Sequence, residues 1–100
     1  MISDKKTFVL YLLPKRPDFA QTMNEEEIAV MKEHIAYWKE LMNQGSVIAF
    51  GPVMDPREIY GLGIILANDE QEVAEIIAND PAGRINNYEY FPMRAVLPAR

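Results

Sequence analysis

SVIAFGPVMDPREIYGLGIILAND, residues 46–69, holds two apolar runs separated by the turn-rich segment MDPRE. Residues 46–53 and 59–67 carry the β-branched, aromatic and aliphatic side chains that suit a pleated surface, and a short polar connector joins antiparallel neighbours. The stretch reads as a β-hairpin, so the fold turns on what flanks it. Upstream, residues 21–45 (QTMNEEEIAVMKEHIAYWKELMNQG) offer Thr22 or Asn24 as an N-cap, three glutamates in the first turn and Gly45 at the stop. Ile28, Met31, Ile35, Trp38 and Met42 recur at helical spacing and predict one buried stripe. Downstream, residues 68–80 (NDEQEVAEIIAND) start on Asn68 or Asp69, place Val73, Ile76 and Ile77 on one face, and cannot continue through Pro81. A helix therefore stands on each side of the hairpin.

The ends of the chain complete the pattern. Residues 7–13 (TFVLYLL), stopped by PKRPD, and residues 86–97 (NNYEYFPMRAVL) read as strands, which makes the order β-α-β-β-α-β. That is the split βαβ, ferredoxin-like pattern of the α+β class: a four-stranded antiparallel sheet with two helices on one face, because right-handed crossovers bring both helices to the same side. The first strand is apolar on both faces, with Phe8, Leu10 and Leu12 alternating with Val9, Tyr11 and Leu13. A sheet with one uncovered apolar face needs a second layer, so a homodimer packed sheet to sheet is expected.

One hundred residues amount to one domain's worth of chain, and a single domain spanning 1–100 is expected. Ten Lys and Arg against fifteen Asp and Glu leave a net charge of −5, with the cations scattered, so nucleic acid is not an expected partner. The apolar run FVLYLL is too short for a signal core or a membrane span, which makes a cytoplasmic protein without a membrane partner the expectation. The absence of cysteine excludes disulfides, thiolate catalysis and Cys-based zinc sites. With a single histidine no transition-metal set can be completed, and the glycines do not form a G-x-G-x-x-G fingerprint. No metal and no cofactor are expected.

The single histidine, His34, falls at the border of the predicted stripe. A border histidine can anchor one ring nitrogen and turn the other to a cavity, as a general base requires; it can equally be a half-exposed helix residue without a role. Asp80, at the close of the second helix, is either a turn initiator before Pro81 or the group that orients the imidazole. Gly51, Gly61 and Gly63 lie inside strands, where glycine marks either pocket space or a close approach by another element. Tyr11, Tyr60, Tyr88, Tyr90 and Phe91 suit a dimer core or the wall of a small apolar pocket. Arg16, Arg84 and Arg94 could orient an anionic substrate, with plain surface solvation as the alternative for each.

Taken together, residues 10–27, residues 31–56, GLGI (61–64), NDPAG (79–83) and YFPM (90–93) resemble the YCII-related domain family over nearly the whole length. The most specific part is a helical His followed by Y-W, a Gly turn and F-G-P-V, with a D-P after the second helix. The resemblance implies a fold like that of muconolactone isomerase, a dimeric α+β barrel. It also implies a His–Asp site, mapping onto His34 and Asp80 as catalytic residues, and proton transfer leading to isomerisation or elimination. Gly51 and Pro52 match the same pattern beside the pocket and, with Tyr11, form the expected substrate-binding set. Two classes stay open: a cofactor-independent enzyme acting on a small cyclic or enolisable compound, and a non-catalytic dimeric module that binds a small molecule or a partner protein.

Overall fold

The computed structural model describes residues 5–98. Strand β1 (Lys6–Pro14) leads through a single helical turn, α1 (Phe19–Thr22), into the long helix α2 (Glu25–Asn43). The hairpin β2 (Val47–Val53) and β3 (Tyr60–Ala67) follows, then α3 (Glu70–Ala78), a 3-10 turn (Pro81–Arg84) and β4 (Asn86–Met93). The strands lie in the order β2-β3-β1-β4 with every neighbour antiparallel, which is the ferredoxin-like α+β arrangement.

Local chemistry explains where the helices begin. Asn24 accepts from the Glu27 N–H at 2.8 Å while the Glu27 carboxylate accepts from the Asn24 N–H at 3.0 Å, a reciprocal capping box that satisfies two otherwise orphaned donors. Of the two candidate caps, Asn24 is the one used. The helix ends where Gly45 adopts φ 87°, a left-handed conformation that glycine reaches without a Cβ penalty. Asp69 caps α3 in the same manner, accepting from the Glu72 N–H at 2.9 Å. Bidentate hydrogen bonds from Arg16 to Glu27, at 2.8 and 2.9 Å, tie the loop after β1 to the first turn of α2.

Alternation along the strands separates two faces. Phe8, Leu10, Leu12, Ile65, Ala67 and Val47 turn toward the helices and are buried there with Trp38, Val73 and Ile76. A bulge between Val47 and Ala49 adds one residue to β2, which lets both Val47 and Phe50 face the helices. Tyr11, by contrast, points to the other side, where its ring meets Tyr60 and Phe91 at centroid separations of 6.0 and 6.1 Å.

Helix α2 differs from its sequence pattern. Ile28, Ile35 and Met42, three of the five residues of the predicted stripe, are 40%, 43% and 37% exposed. The face turned inward instead runs through Met31, His34, Trp38 and Leu41, so His34 sits at its middle rather than at its border. Apolar periodicity locates the hydrophobic side of a helix; here the helix is rotated off that direction because His34 and Trp38 both reach a buried carboxylate beneath it. The last strand is also shorter than the expected 86–97, since its pairing with β1 ends at Thr7–Met93.

Candidate active site

Three elements meet under α2. The helix supplies His34 and Trp38 one turn apart, the 3-10 turn supplies Asp80, and β4 supplies Asn86 and Tyr88 two residues apart and so on the same face. Asp80 lies beyond the end of α3, whose C-cap is Asn79, and instead opens the 3-10 turn, its Oδ1 accepting from the Ala82 N–H at 2.9 Å. The carboxylate thus faces the positive end of a turn rather than the negative end of α3.

The Asp80 side chain is wholly buried and is satisfied by four donors. His34 Nδ1 donates at 2.8 Å to Oδ2 and stands 3.0 Å from Oδ1. Trp38 Nε1 donates to Oδ2 at 2.7 Å, the Tyr88 hydroxyl donates to the same oxygen, and the Ala82 N–H completes the set. Burial pushes the Asp80 carboxyl up, but the hydrogen bonds from His34 and Tyr88, the neighbouring imidazole and the Ala82 N–H outweigh it and hold the group below the ordinary carboxylate value. Burial, reinforced by the hydrogen bond to Asp80 and its charge, drives the Tyr88 hydroxyl far above the usual tyrosine value, so it remains a donor. Tyr37, raised by burial and by Asp80, donates to the Ile76 carbonyl at 2.8 Å and helps join α2 to α3.

An ionised carboxylate can only accept, so for the neutral imidazole its contact with Nδ1 selects the tautomer in which Nδ1 carries the proton and Nε2 keeps its lone pair. Nε2 has no hydrogen-bond partner among the described residues, and His34 lines a pocket of about 560 Å³. The imidazole is held edge-on to Phe50 and tilted against Trp38, at centroid separations of 6.5 and 5.9 Å, and 12% of its side chain is accessible. The rest of the wall is mainly aliphatic, aromatic and methionine side chains, including Leu12, Phe19, Met31 and Ile35. A volume of this order matches sites for small organic ligands.

The glycines take different parts. A Cβ on Gly63 would lie 2.3 Å from Trp38 Cζ3, so this residue is bare because the indole lies on it. Gly61 borders the pocket, and a Cβ there would stand 3.1 Å from Leu12 Cβ. Gly51 and Pro52 also border the pocket, whereas Tyr11 lies across the sheet and is not brought to it. Arg16 is engaged with Glu27, and Arg84 stands 3.3 Å from Glu33; among the described residues no lysine or arginine lines the pocket. Nor do any three His, Cys, Asp or Glu side chains among the described residues form a group able to hold a metal ion. The partners of Asp80 on Trp38 and Tyr88, and the place of Asn86 in the wall, were not legible in the sequence. The one signal for them was the polar Asn86 and Tyr88 two residues apart, at positions that alternation puts on one face of the last strand.

The chain is thus a ferredoxin-like α+β domain in which a histidine, backed by a buried aspartate, stands at the wall of an apolar pocket. The YCII-related domain model matches residues 7–96, and the chain belongs to that family. Among solved structures it is similar to the 5-chloro-2-hydroxyhydroquinone dehydrochlorinase TftG from Burkholderia phenoliruptrix AC1100, determined in complex with 2,5-dihydroxybenzoquinone. That similarity has 22% identity and a TM-score of 0.63, over 90% of this chain and 93% of the other. A second similar structure is SnoaB, a cofactor-independent oxygenase from Streptomyces nogalater, at 17% identity and a TM-score of 0.49, over 97% of this chain and 100% of the other. No curated protein matches the chain at a significant level. Among the described residues no helix is long and apolar enough to cross a membrane.

Proposed function

We propose that the pocket is an active site in which neutral His34, oriented by Asp80, is the general base acting on a small cyclic or enolisable compound. The observation that carries this reading is the buried carboxylate on Nδ1, which leaves the Nε2 lone pair of a pocket-lining imidazole free. Nε2 takes a proton from an acidic C–H or O–H of the substrate, and the resulting imidazolium is stabilised by the carboxylate 2.8 Å behind it. The electron pair released stays on the substrate. Return of the proton to a different atom gives isomerisation; loss of a leaving group with its bonding pair gives elimination. The dehydrochlorination named for TftG is of the second kind, and it supports small phenols and hydroquinones as the first compounds to screen.

This reading also takes the side of the sheet away from the helices as the contact of a homodimer, for which the support is apolar exposure: Phe91 and Met93 are 51% and 40% exposed. A second reading is favoured by the four donors on Asp80, which would equally serve a non-catalytic binding module whose His–Asp contact is structural. Turnover of His34→Ala separates them. General base catalysis is typically worth about 10²–10⁴-fold, so the variant should lose turnover by that order on whichever compound the wild type converts. A folded His34→Ala protein with near-normal turnover would leave only the binding module.

A further inference from the structure

Proton transfer by His34 does not by itself say what the pocket accepts; the polar atoms of its wall do. Tyr60 turns its ring to Tyr11 on the far face of the sheet; the other polar side chains that line the pocket are His34, Trp38, Tyr88 and Asn86, and the Trp38 N–H is given to Asp80. Tyr88 directs its hydroxyl to Asp80, and His34 directs Nδ1 there as well. Asn86 is 4% exposed. Its amide Nδ2 donates to the Ala82 carbonyl at 3.1 Å and reaches Met31 Sδ at 3.7 Å, while its Oδ1 has no partner among the described residues. No buried side-chain oxygen or nitrogen among the described residues is sealed off without a partner, so this oxygen is reachable from outside the protein, as an acceptor for a donor that enters the pocket must be.

Two polar atoms on this wall are therefore left over, His34 Nε2 and Asn86 Oδ1, and both are acceptors. Both belong to the stretch of wall around Met31: Asn86 touches that residue, which precedes His34 by three positions on α2 and so shares its face. No cation lines the pocket among the described residues, and the Asp80 carboxylate lies directly behind the imidazole. A carboxylate or phosphate ligand would bring further acceptors and a like charge to this wall.

We infer that the pocket selects an uncharged compound bearing two hydroxyl donors, one received by His34 Nε2 and the other by Asn86 Oδ1, with Asn86 as the specificity-determining residue. The inference rests on the reading of the pocket as the place where Nε2 meets substrate. It adds the chemical class of that substrate and a second residue that recognises it.

The test uses binding by protein-observed NMR, under nitrogen, of three probes of one shape: 1,4-dihydroxybenzene, 4-methoxyphenol and 1,4-dimethoxybenzene. They offer two, one and no donors. A neutral hydrogen bond contributes about 0.5–1.5 kcal/mol, so each methylation should weaken binding to the wild-type protein about two- to twelvefold. Asn86→Ala should abolish the preference for the diol over the methoxyphenol while keeping that of the methoxyphenol over the diether. Benzoate, with the same ring and a charge, should bind no better than the diether. Equal binding of all three probes to the wild type, no detectable binding of the diol, tight binding of benzoate, or an undiminished diol preference in Asn86→Ala would each overturn the inference. If Asn86→Ala does not fold, because it also loses its bond to Ala82, the wild-type series decides alone. Turnover of His34→Ala is a separate readout, so failure of the active-site reading and failure of the specificity rule are distinguishable.

Discussion

Replacing Asp80 by asparagine removes one formal charge and one acceptor while keeping the shape, and the geometry around the carboxylate sets the cost. Four donors converge on its two oxygens: Ala82 N–H on Oδ1, Trp38 Nε1–H and Tyr88 O–H on Oδ2, and His34 Nδ1–H within reach of both. An asparagine offers one oxygen and one NH₂. If the NH₂ replaces Oδ2, Tyr88 can rotate its hydroxyl to accept, but the indole N–H cannot and loses its partner. If it replaces Oδ1, the Ala82 N–H is the one stranded. Either arrangement leaves a buried N–H unpaired, worth about 1–3 kcal/mol, and turns the surviving charge-assisted bonds into neutral ones about 1 kcal/mol weaker. Relief from burying an anion offsets part of this. The net loss should be about 2–4 kcal/mol, which for a domain of this size lowers Tm on the order of 10–25 °C. The assay is thermal unfolding at pH 7 and fixed protein concentration, since any self-association makes Tm depend on concentration. A fall of less than about 3 °C would show that the four donors do not depend on this carboxylate.

The Asp80 carboxyl lies below its ordinary value in the folded protein, and Glu27, held by the hydrogen bonds from Arg16 and the Asn24 N–H, is lowered to about 2. Both unfolded groups bind protons first on acidification, so their stabilisation is complete above roughly pH 5 and is lost as pH falls toward 2. Denaturant midpoints measured from pH 6 to pH 2 should fall steadily, and Glu27→Gln should flatten that slope; an unchanged slope in the variant would contradict the assignment. Gly63→Ala places a methyl 2.3 Å from the Trp38 ring, overpacking that should cost about 1–3 kcal/mol. The indole N–H resonance should shift as its bond to Asp80 is disturbed, and wild-type stability with an unmoved resonance would count against the close approach.

The element order, the two capped helix starts, the hairpin and the Gly45 stop were all legible in the sequence, because each is set by contacts within a few residues: a cap, a proline, a turn of fixed length. The His34 and Asp80 pair was reachable as a candidate through family resemblance, but its contact was not, since 46 positions separate the two residues and only the crossover of α2 over the sheet brings them together. Local pattern misled most on α2. The apolar residues Ile28, Ile35 and Met42 marked the hydrophobic side of the helix, yet a polar histidine and an indole N–H determined which side faces the sheet, because an unpaired buried carboxylate costs more than leaving three aliphatic side chains half-exposed. The same long-range condition seats Trp38 on Gly63 and leaves Asn86 in the pocket wall, while Tyr11 lies across the sheet because alternation along β1 puts it on the face opposite Leu10 and Leu12. Sequence determined the elements and their order; tertiary packing decided which face of each looks inward, because that choice depends on where distant donors and acceptors find one another.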